Sequence, residues 1–185
     1  MSHLCQTVGV RLGSVNKLLP VLGLTALTAC GAGLVPLPPI SVPDINLSLP
    51  AADASVPYVL YSTQNSLGDA PDLAQYLASV NVSGNVSYST SGGTLSAATV
   101  YVRTTLDGCT LTGTFALCDA SGESANSIGN VTIVAGKTTP LKLSGSALTK
   151  AAQQRRAFFG VKIKTGSTMN GDALNVTSVK VNARL

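Results

Sequence analysis

The chain has 185 residues, of which only 20 are Lys, Arg, Asp or Glu, and its formal net charge is +4. Because 45% of the residues are hydrophobic, disorder driven by charge repulsion is excluded for most of the chain. The single histidine, His3, lies near the start of the sequence, which excludes most histidine-based catalysis and histidine-ligated metal sites.

The first 29 residues have the pattern of an export signal. Arg11 and Lys17 precede twelve largely apolar residues, 18–29, and the segment contains no acidic residue. A helix that crosses a bilayer needs about 20 apolar residues, so this run is too short to be one. A basic start, a short apolar run and small residues at its end predict a secretory signal peptide over residues 1–29.

The end of this segment, Leu27-Thr28-Ala29-Cys30, resembles the lipobox of bacterial lipoprotein precursors. The resemblance implies that the thiol of Cys30 accepts diacylglycerol and that Cys30 becomes the first residue of the mature chain. Gly31 follows it, whereas an Asp at that position tends to retain such proteins in the inner membrane. We therefore expect a protein of the cell envelope, anchored to the outer membrane on its periplasmic or surface face.

Residues 30–55 are predicted to form a proline-rich tether. Prolines stand at positions 36, 38, 39, 43 and 50. Because proline fixes φ and has no backbone N–H, neither a helix nor a central strand is expected there. Apolar residues between the prolines, such as Leu37 and Ile45, indicate that part of this segment packs along the domain or against a partner.

From residue 56 onwards, apolar residues alternate with polar ones. Residues 80–88 predict one long strand, or a strand with a bulge at Gly84. Residues 99–104 place Val100 and Val102 inward, with Tyr101 and Arg103 outward. Residues 131–135 and 161–164 repeat the pattern.

The last segment changes phase between Leu174/Val176 and Val179/Val181. A bulge near Thr177-Ser178 explains this change, and so does a strand that switches the sheet it faces. Before it, Asn170-Gly171 predicts a hairpin turn.

The segment 146–156 predicts a short helix that begins with a capping serine, and residues 72–77 predict a further short turn. The remaining elements are short strands about ten residues apart. We therefore predict an all-β fold over residues 56–185, an antiparallel β-sandwich of immunoglobulin-like or Greek-key type with one short helix.

Cys109 and Cys118 flank a predicted two-residue turn, Gly113-Thr114. With glycine first, as a type II′ turn requires, Thr112 lies opposite Phe115 and the ladder places Cys109 opposite Cys118. Cα atoms in such a non-hydrogen-bonded pair are about 4.5 Å apart, within the range of a disulfide. An exported protein permits the bond, so we predict a structural disulfide.

Basic residues concentrate in the second half of the chain. Without residues 1–29 there are ten basic and eight acidic residues, and nine of the ten bases lie at or after Lys137. Five of them form a candidate patch for an anionic partner, the alternative being an ordinary solvated face: Lys150, Arg155, Arg156, Lys162 and Lys164.

The sequence contains no motif of a known catalytic site. A Ser–Lys pair is the remaining route to nucleophilic catalysis, since the mature chain lacks histidine. No catalytic residue and no cofactor are therefore expected. Loop carboxylates are weak candidates for calcium, although none has the spacing of an EF-hand: Asp69, Asp72, Asp119, Glu123 and Asp172.

Three classes of function follow from these features. The first is a non-enzymatic envelope lipoprotein that serves as a structural or accessory subunit of an outer-membrane or surface-layer assembly, without nucleic acid as a partner. The second is a binding module for a glycan or small ligand, because Ser, Thr, Asn and Tyr occupy outward strand positions. The third is an enzyme similar to the exported copper–zinc superoxide dismutases, whose sandwich fold invites comparison but whose histidine cluster is missing here.

Overall fold

A computed structural model describes residues 35–42, 44–68 and 75–185. The predicted signal peptide, the lipobox with Cys30, and residues 72–74 of the turn predicted at 72–77 lie outside the described residues. The described residues contain thirteen strands: β1 Ile40–Val42, β2 Ile45–Leu49, β3 Ala52–Asp53, β4 Tyr58–Ser62, β5 Ser79–Ser89, β6 Ala97–Arg103, β7 Thr110–Thr112, β8 Phe115–Asp119, β9 Ser127–Thr132, β10 Thr138–Ser144, β11 Phe158–Thr165, β12 Ser167–Thr168 and β13 Asp172–Arg184. One α-helix, α1, spans Ser146–Gln153, and short 3-10 turns span Ala120–Gly122 and Ser124–Asn126.

The strands form two antiparallel sheets and a small ribbon. Sheet I has the order β1-β13-β5-β10, with β2 following β1 along the same edge of β13. Sheet II has the order β7-β8-β4-β11-β6-β9, and β3 pairs with β12 in the ribbon. The predicted all-β antiparallel sandwich with one short helix is confirmed.

Alternating apolar residues fill the space between the sheets. Val80, Val86 and Tyr88 of β5 face Ala98 and Val102 of β6 across the core. The inward phase predicted for Val100 and Val102 is confirmed, as is the burial of Val131 and Ile133. Burial of this apolar surface is the main favourable contribution to folding, about 25 cal/mol per Å².

The bulge lies in β13 rather than at Gly84 of β5. The pairing of β13 with β5 shifts between Thr177 and Lys180, and Ser178 adopts φ +54°. Strand β5 is continuous from Ser79 to Ser89, and a Cβ added at Gly84 would lie 3.0 Å from the carbonyl oxygen of Thr177. The bulge keeps both Leu174 and Val179 buried, which explains the change of phase in the sequence.

Two local predictions are wrong in detail. The N-cap of helix α1 is Gly145, without a side-chain hydrogen bond, so no serine caps this helix. The Asn170-Gly171 turn is present, with Gly171 at φ +95°, but it does not close a hairpin. The strand before it, β12, pairs with β3, whereas β13 pairs with strands of sheet I.

Part of the predicted tether belongs to the sandwich. Strands β1 and β2 pair with β13 along one edge, and β3 pairs with β12. Strand β1 ends at Val42 and β2 begins at Ile45, and between them a side-chain oxygen of Asp44 accepts a hydrogen bond from the N–H of Ser178. Prolines exclude a central strand but are tolerated beside edge strands, so the sandwich includes residues that the sequence assigned to the tether.

Candidate functional site

An apolar groove opens where sheet II extends past sheet I. The two sheets meet at the β9–β10 corner, where Gly129 lies against Lys142 and Leu143. Sheet I is four strands wide from that corner and sheet II is six, so β7 and β8 extend past the strands of sheet I, and the segment 50–56, with strand β3, lines the groove together with them. The resulting cavity has a volume of about 260 Å³.

The walls of the groove come from both sheets and from the chain that leaves β2. Leu60 of β4, Phe115 and Leu117 of β8, and Val161 of β11 form the side of sheet II, and Leu49 ends the side of sheet I. These side chains lie on the inner face of sheet II, because Leu60 pairs with both Leu117 and Val161. The groove is therefore an uncovered part of the sandwich interior.

Hydrogen bonds hold the rim of the groove. The hydroxyl of Thr168 donates to the carbonyl oxygen of Pro50 at 2.6 Å, which joins the β3–β12 ribbon to the end of β2. Asp53 accepts hydrogen bonds from the hydroxyl and the backbone N–H of Ser55, and these bonds lower the pKa of the Asp53 carboxyl. The rim is thus preformed, as is usual for binding clefts.

Strand β2 has a free edge beside the groove. Its pairing with β13 is the one pairing of β2 among the described residues. An unpaired strand edge presents backbone N–H and C=O groups that another strand can bind. Ile45 of this strand is 43% exposed.

The predicted disulfide hairpin is confirmed. Thr112 pairs with Phe115 and Thr110 pairs with Leu117, and Gly113 adopts φ +60° as the first turn residue. Cys109 and Cys118 are bonded, with Cα atoms 4.4 Å apart. The hairpin therefore has the register expected from the type II′ turn.

Replacing both cysteines with serine should lower the free energy of unfolding by about 2.7 kcal/mol, because the bond closes a loop of about ten residues. Chemical unfolding of the full chain measures this change. The variant should also be insensitive to reductant, whereas the wild type should lose the same stability when reduced. Unfolding of the wild type that reductant does not change would contradict the structural role.

A buried polar cluster lies beneath this hairpin, on the outer face of sheet II. Nε of Arg103 is 3.2 Å from Oε1 of Glu123, and the hydroxyl of Tyr61 donates to Oε2 of the same carboxylate at 2.5 Å. Asn126 donates a further hydrogen bond to Oε2, and the side chain of Glu123 is only 2% exposed. Burial, followed by the hydrogen bond to Glu123, raises the pKa of Tyr61 far above its ordinary value.

Arg103 connects the cluster to the disulfide. Its Nη1 lies 2.8 Å from Sγ of Cys109 and 3.2 Å from the carbonyl oxygen of Asp107. Its guanidinium carbon is 5.9 Å from the centroid of the Tyr61 ring, within cation–π range. Gly160 makes room for that ring, since a Cβ there would lie 2.5 Å from it.

A second polar cluster joins the loops at the opposite end of the molecule. Asp172 is fully buried and accepts hydrogen bonds from the hydroxyl of Tyr88, the N–H and hydroxyl of Ser91, and the N–H of Met169. Burial alone would raise the pKa of Asp172, but these hydrogen bonds outweigh it and hold the pKa well below its ordinary value. The cluster is structural, because every donor comes from the chain itself.

The calcium candidates that the structure describes are not brought together. Asp69 and Asp72 lie outside the described residues. Asp119 is exposed and accepts a hydrogen bond from the N–H of Ser121. The carboxylates of Glu123 and Asp172 already accept the hydrogen bonds described above. Among the described residues, no three His, Cys, Asp or Glu side chains form a group suited to a metal ion.

The basic patch is divided by the fold. Lys150, Arg155 and Arg156 lie in or just after helix α1, and Arg155 adopts φ +55° and binds the carbonyl oxygen of Gly68. Lys162 lies on β11 about 13 Å beyond Phe158, the residue at which that strand begins, and is therefore separated from the cations of helix α1. Its charge contributes to the lowered pKa of Asp119, after the hydrogen bonds from Ser121.

The fold defines the chain as an antiparallel β-sandwich with one uncovered apolar side. Comparison with models of known protein families finds no match, and neither does comparison with curated proteins. Among the described helices, none has the length and apolar content needed to span a bilayer.

Proposed function

We propose that this chain is a non-enzymatic envelope lipoprotein that acts as a structural or accessory subunit of an outer-membrane or surface-layer assembly. The lipid on Cys30 anchors it, and the groove beside β2 receives an extended strand of a partner subunit. The observation that carries the proposal is the apolar groove between β8 and the segment 50–56, which begins at Leu49, where the free edge of β2 ends.

The chemistry of the groove supports a strand as its occupant. A strand added to β2 would pair its backbone with the free edge, and its alternate side chains would cover Leu60, Phe115 and Leu117. Main-chain hydrogen bonds then provide affinity, and the apolar floor selects for side chains at every second position. The expected partner segment is therefore an extended sequence in which apolar and polar residues alternate.

The cavity also supports the second candidate, a binding module for a small molecule. Its lining is mostly aliphatic and contains one tyrosine, Tyr58, so a small apolar ligand fits it better than a glycan does. Solvent extraction of the purified protein followed by mass analysis would detect such a ligand. A stoichiometric apolar molecule there would favour this alternative over the strand.

Replacing Leu117 with lysine should lower the recovery of the assembly at least about tenfold, because the charge would be buried against the bound strand. Detergent extraction of the full chain from envelopes, followed by native mass analysis, measures this recovery. Leu111→Lys is the matched control, since Leu111 lies on the other face of the same hairpin and is 67% exposed.

Disulfide formation and the melting temperature show whether both variants are folded. A wild-type chain that is extracted only as a free monomer would contradict the proposal. Equal recovery of the assembly with both variants would contradict the groove as its docking site.

A further inference from the structure

One end of the sandwich combines exposed apolar side chains with exposed cations. We name it the helix pole and define it by helix α1, Tyr76 and the paired residues Val35 and Leu185. The N–H of Val35 donates to the carbonyl oxygen of Leu185 at 3.1 Å, and the N–H of Leu185 donates back at 3.0 Å. The N–H of Ala78 donates to the carbonyl oxygen of Arg184, which places Tyr76 beside this pair.

The apolar groups of the helix pole are unusually exposed. Tyr76 is 66% exposed, Val35 is 59% exposed and Leu185 is 37% exposed. Tyrosine is typical of membrane–water interfaces, because its ring is apolar and its hydroxyl remains in water. These three side chains therefore suit a lipid headgroup region.

Three cations lie on elements of the helix pole, where the side chain of Gln153 in α1 donates a hydrogen bond to the carbonyl oxygen of Leu77. Lys150 lies in the last turn of α1, Arg156 follows the helix, and Arg184 ends β13. All three are exposed, and within the described part of the chain the one salt bridge is that between Arg103 and Glu123. Exposed cations beside exposed apolar groups are complementary to an anionic lipid surface.

The chain enters the sandwich at this same pole. Val35 is five residues after Cys30, and five residues span at most about 18 Å in any conformation. The opposite, distal pole carries the turns 90–93 and 169–171. Strand β13 runs between the poles, and its twelve steps from Asp172 to Arg184 cover about 40 Å.

We propose that the helix pole lies against the anionic surface of the membrane, so that the sandwich stands with its distal pole away from the bilayer. This inference rests on the proposed lipidation of Cys30, which holds the helix pole close to the headgroups. Electrostatic attraction decays over about 8 Å at physiological salt, so the cations act only on a pole held this near. The groove, on the side of the sandwich, stays accessible to a partner.

Single tryptophans test this orientation, because the chain has none of its own. Tyr76→Trp places one at the helix pole, and Met169→Trp places the matched control at the distal pole, where Met169 is 50% exposed. Each full chain, purified from cells, is reconstituted into vesicles of brominated phosphatidylglycerol and phosphatidylcholine. Emission of Tyr76→Trp should be quenched at least about twofold, and that of Met169→Trp should not change.

Charge is tested in the Tyr76→Trp background. Replacing Lys150, Arg156 and Arg184 with glutamine should restore most of the emission, and so should vesicles of brominated phosphatidylcholine alone. Equal quenching at both poles, or none at either, overturns the inference if the intact mass shows an acylated chain. An unacylated chain overturns the lipoprotein assignment as well, so the mass distinguishes the two failures.

Discussion

Replacing Arg103 with leucine should lower the free energy of unfolding by about 3 kcal/mol. The substitution leaves the carboxylate of Glu123 buried without its cationic partner, and it removes the guanidinium from the Tyr61 ring and from Sγ of Cys109. Exposed ion pairs contribute only about 0–1 kcal/mol. A change of about 3 kcal/mol, larger than that of an exposed ion pair, is expected because the side chain of Glu123 is only 2% exposed. This change lies at the lower end of the range for buried ion pairs because the side chain of Arg103 is 24% exposed.

A double-mutant cycle separates the ion pair from packing. Replacing Arg103 and Glu123 together with leucine should cost less than the sum of the two single replacements, because the double variant leaves no buried charge unpaired. Lys162→Leu is the matched control on the same face of sheet II, where its neighbour Asp119 is exposed. Chemical unfolding of the full chains gives the change in the free energy of unfolding for each of the four variants. Additive costs would show that Arg103 and Glu123 are not coupled.

The alternation of side chains made much of this fold predictable. Period-two patterns located β5, β6, β11 and β13, and the phase change near Thr177 located the bulge. The hairpin register followed from a two-residue turn with glycine first. Such features are local, because a few neighbouring residues determine them.

The features that the sequence did not reveal depend on contacts between distant segments. The sequence marks Glu123 only as a candidate calcium ligand, whereas in the fold it pairs with Arg103, 20 residues earlier, because the chain folds back over sheet II. The groove depends on the number of strands in each sheet and on their order, which no local pattern encodes. The prolines excluded a central strand in residues 30–55 but left an edge strand open, which is where β1 and β2 lie.

Replacing Asp172 with asparagine should lower the melting temperature by roughly 10 °C. The substitution keeps the shape of the side chain but replaces one acceptor oxygen with an NH₂ group, so that either the donors of Ser91 on Oδ1 or those of Tyr88 and Met169 on Oδ2 lose their partner. The turns at 90–93 and 169–171 are joined through this carboxylate, and both should loosen. Asp53→Asn is the matched control, because Asp53 is exposed and its side chain accepts hydrogen bonds from neighbouring Ser55.

The acid dependence of stability provides a second measurement of the same carboxylate. Because hydrogen bonds hold the pKa of Asp172 below its ordinary value of 3.8, its contribution is fully present above about pH 4. The contribution is lost as the pH falls from there towards the lower pKa of the folded state. Thermal unfolding between neutral and strongly acidic pH should therefore show a steeper loss in the wild type than in Asp172→Asn. Parallel acid profiles for the two proteins, or melting temperatures that agree at neutral pH, would mean that Asp172 does not hold the distal loops together.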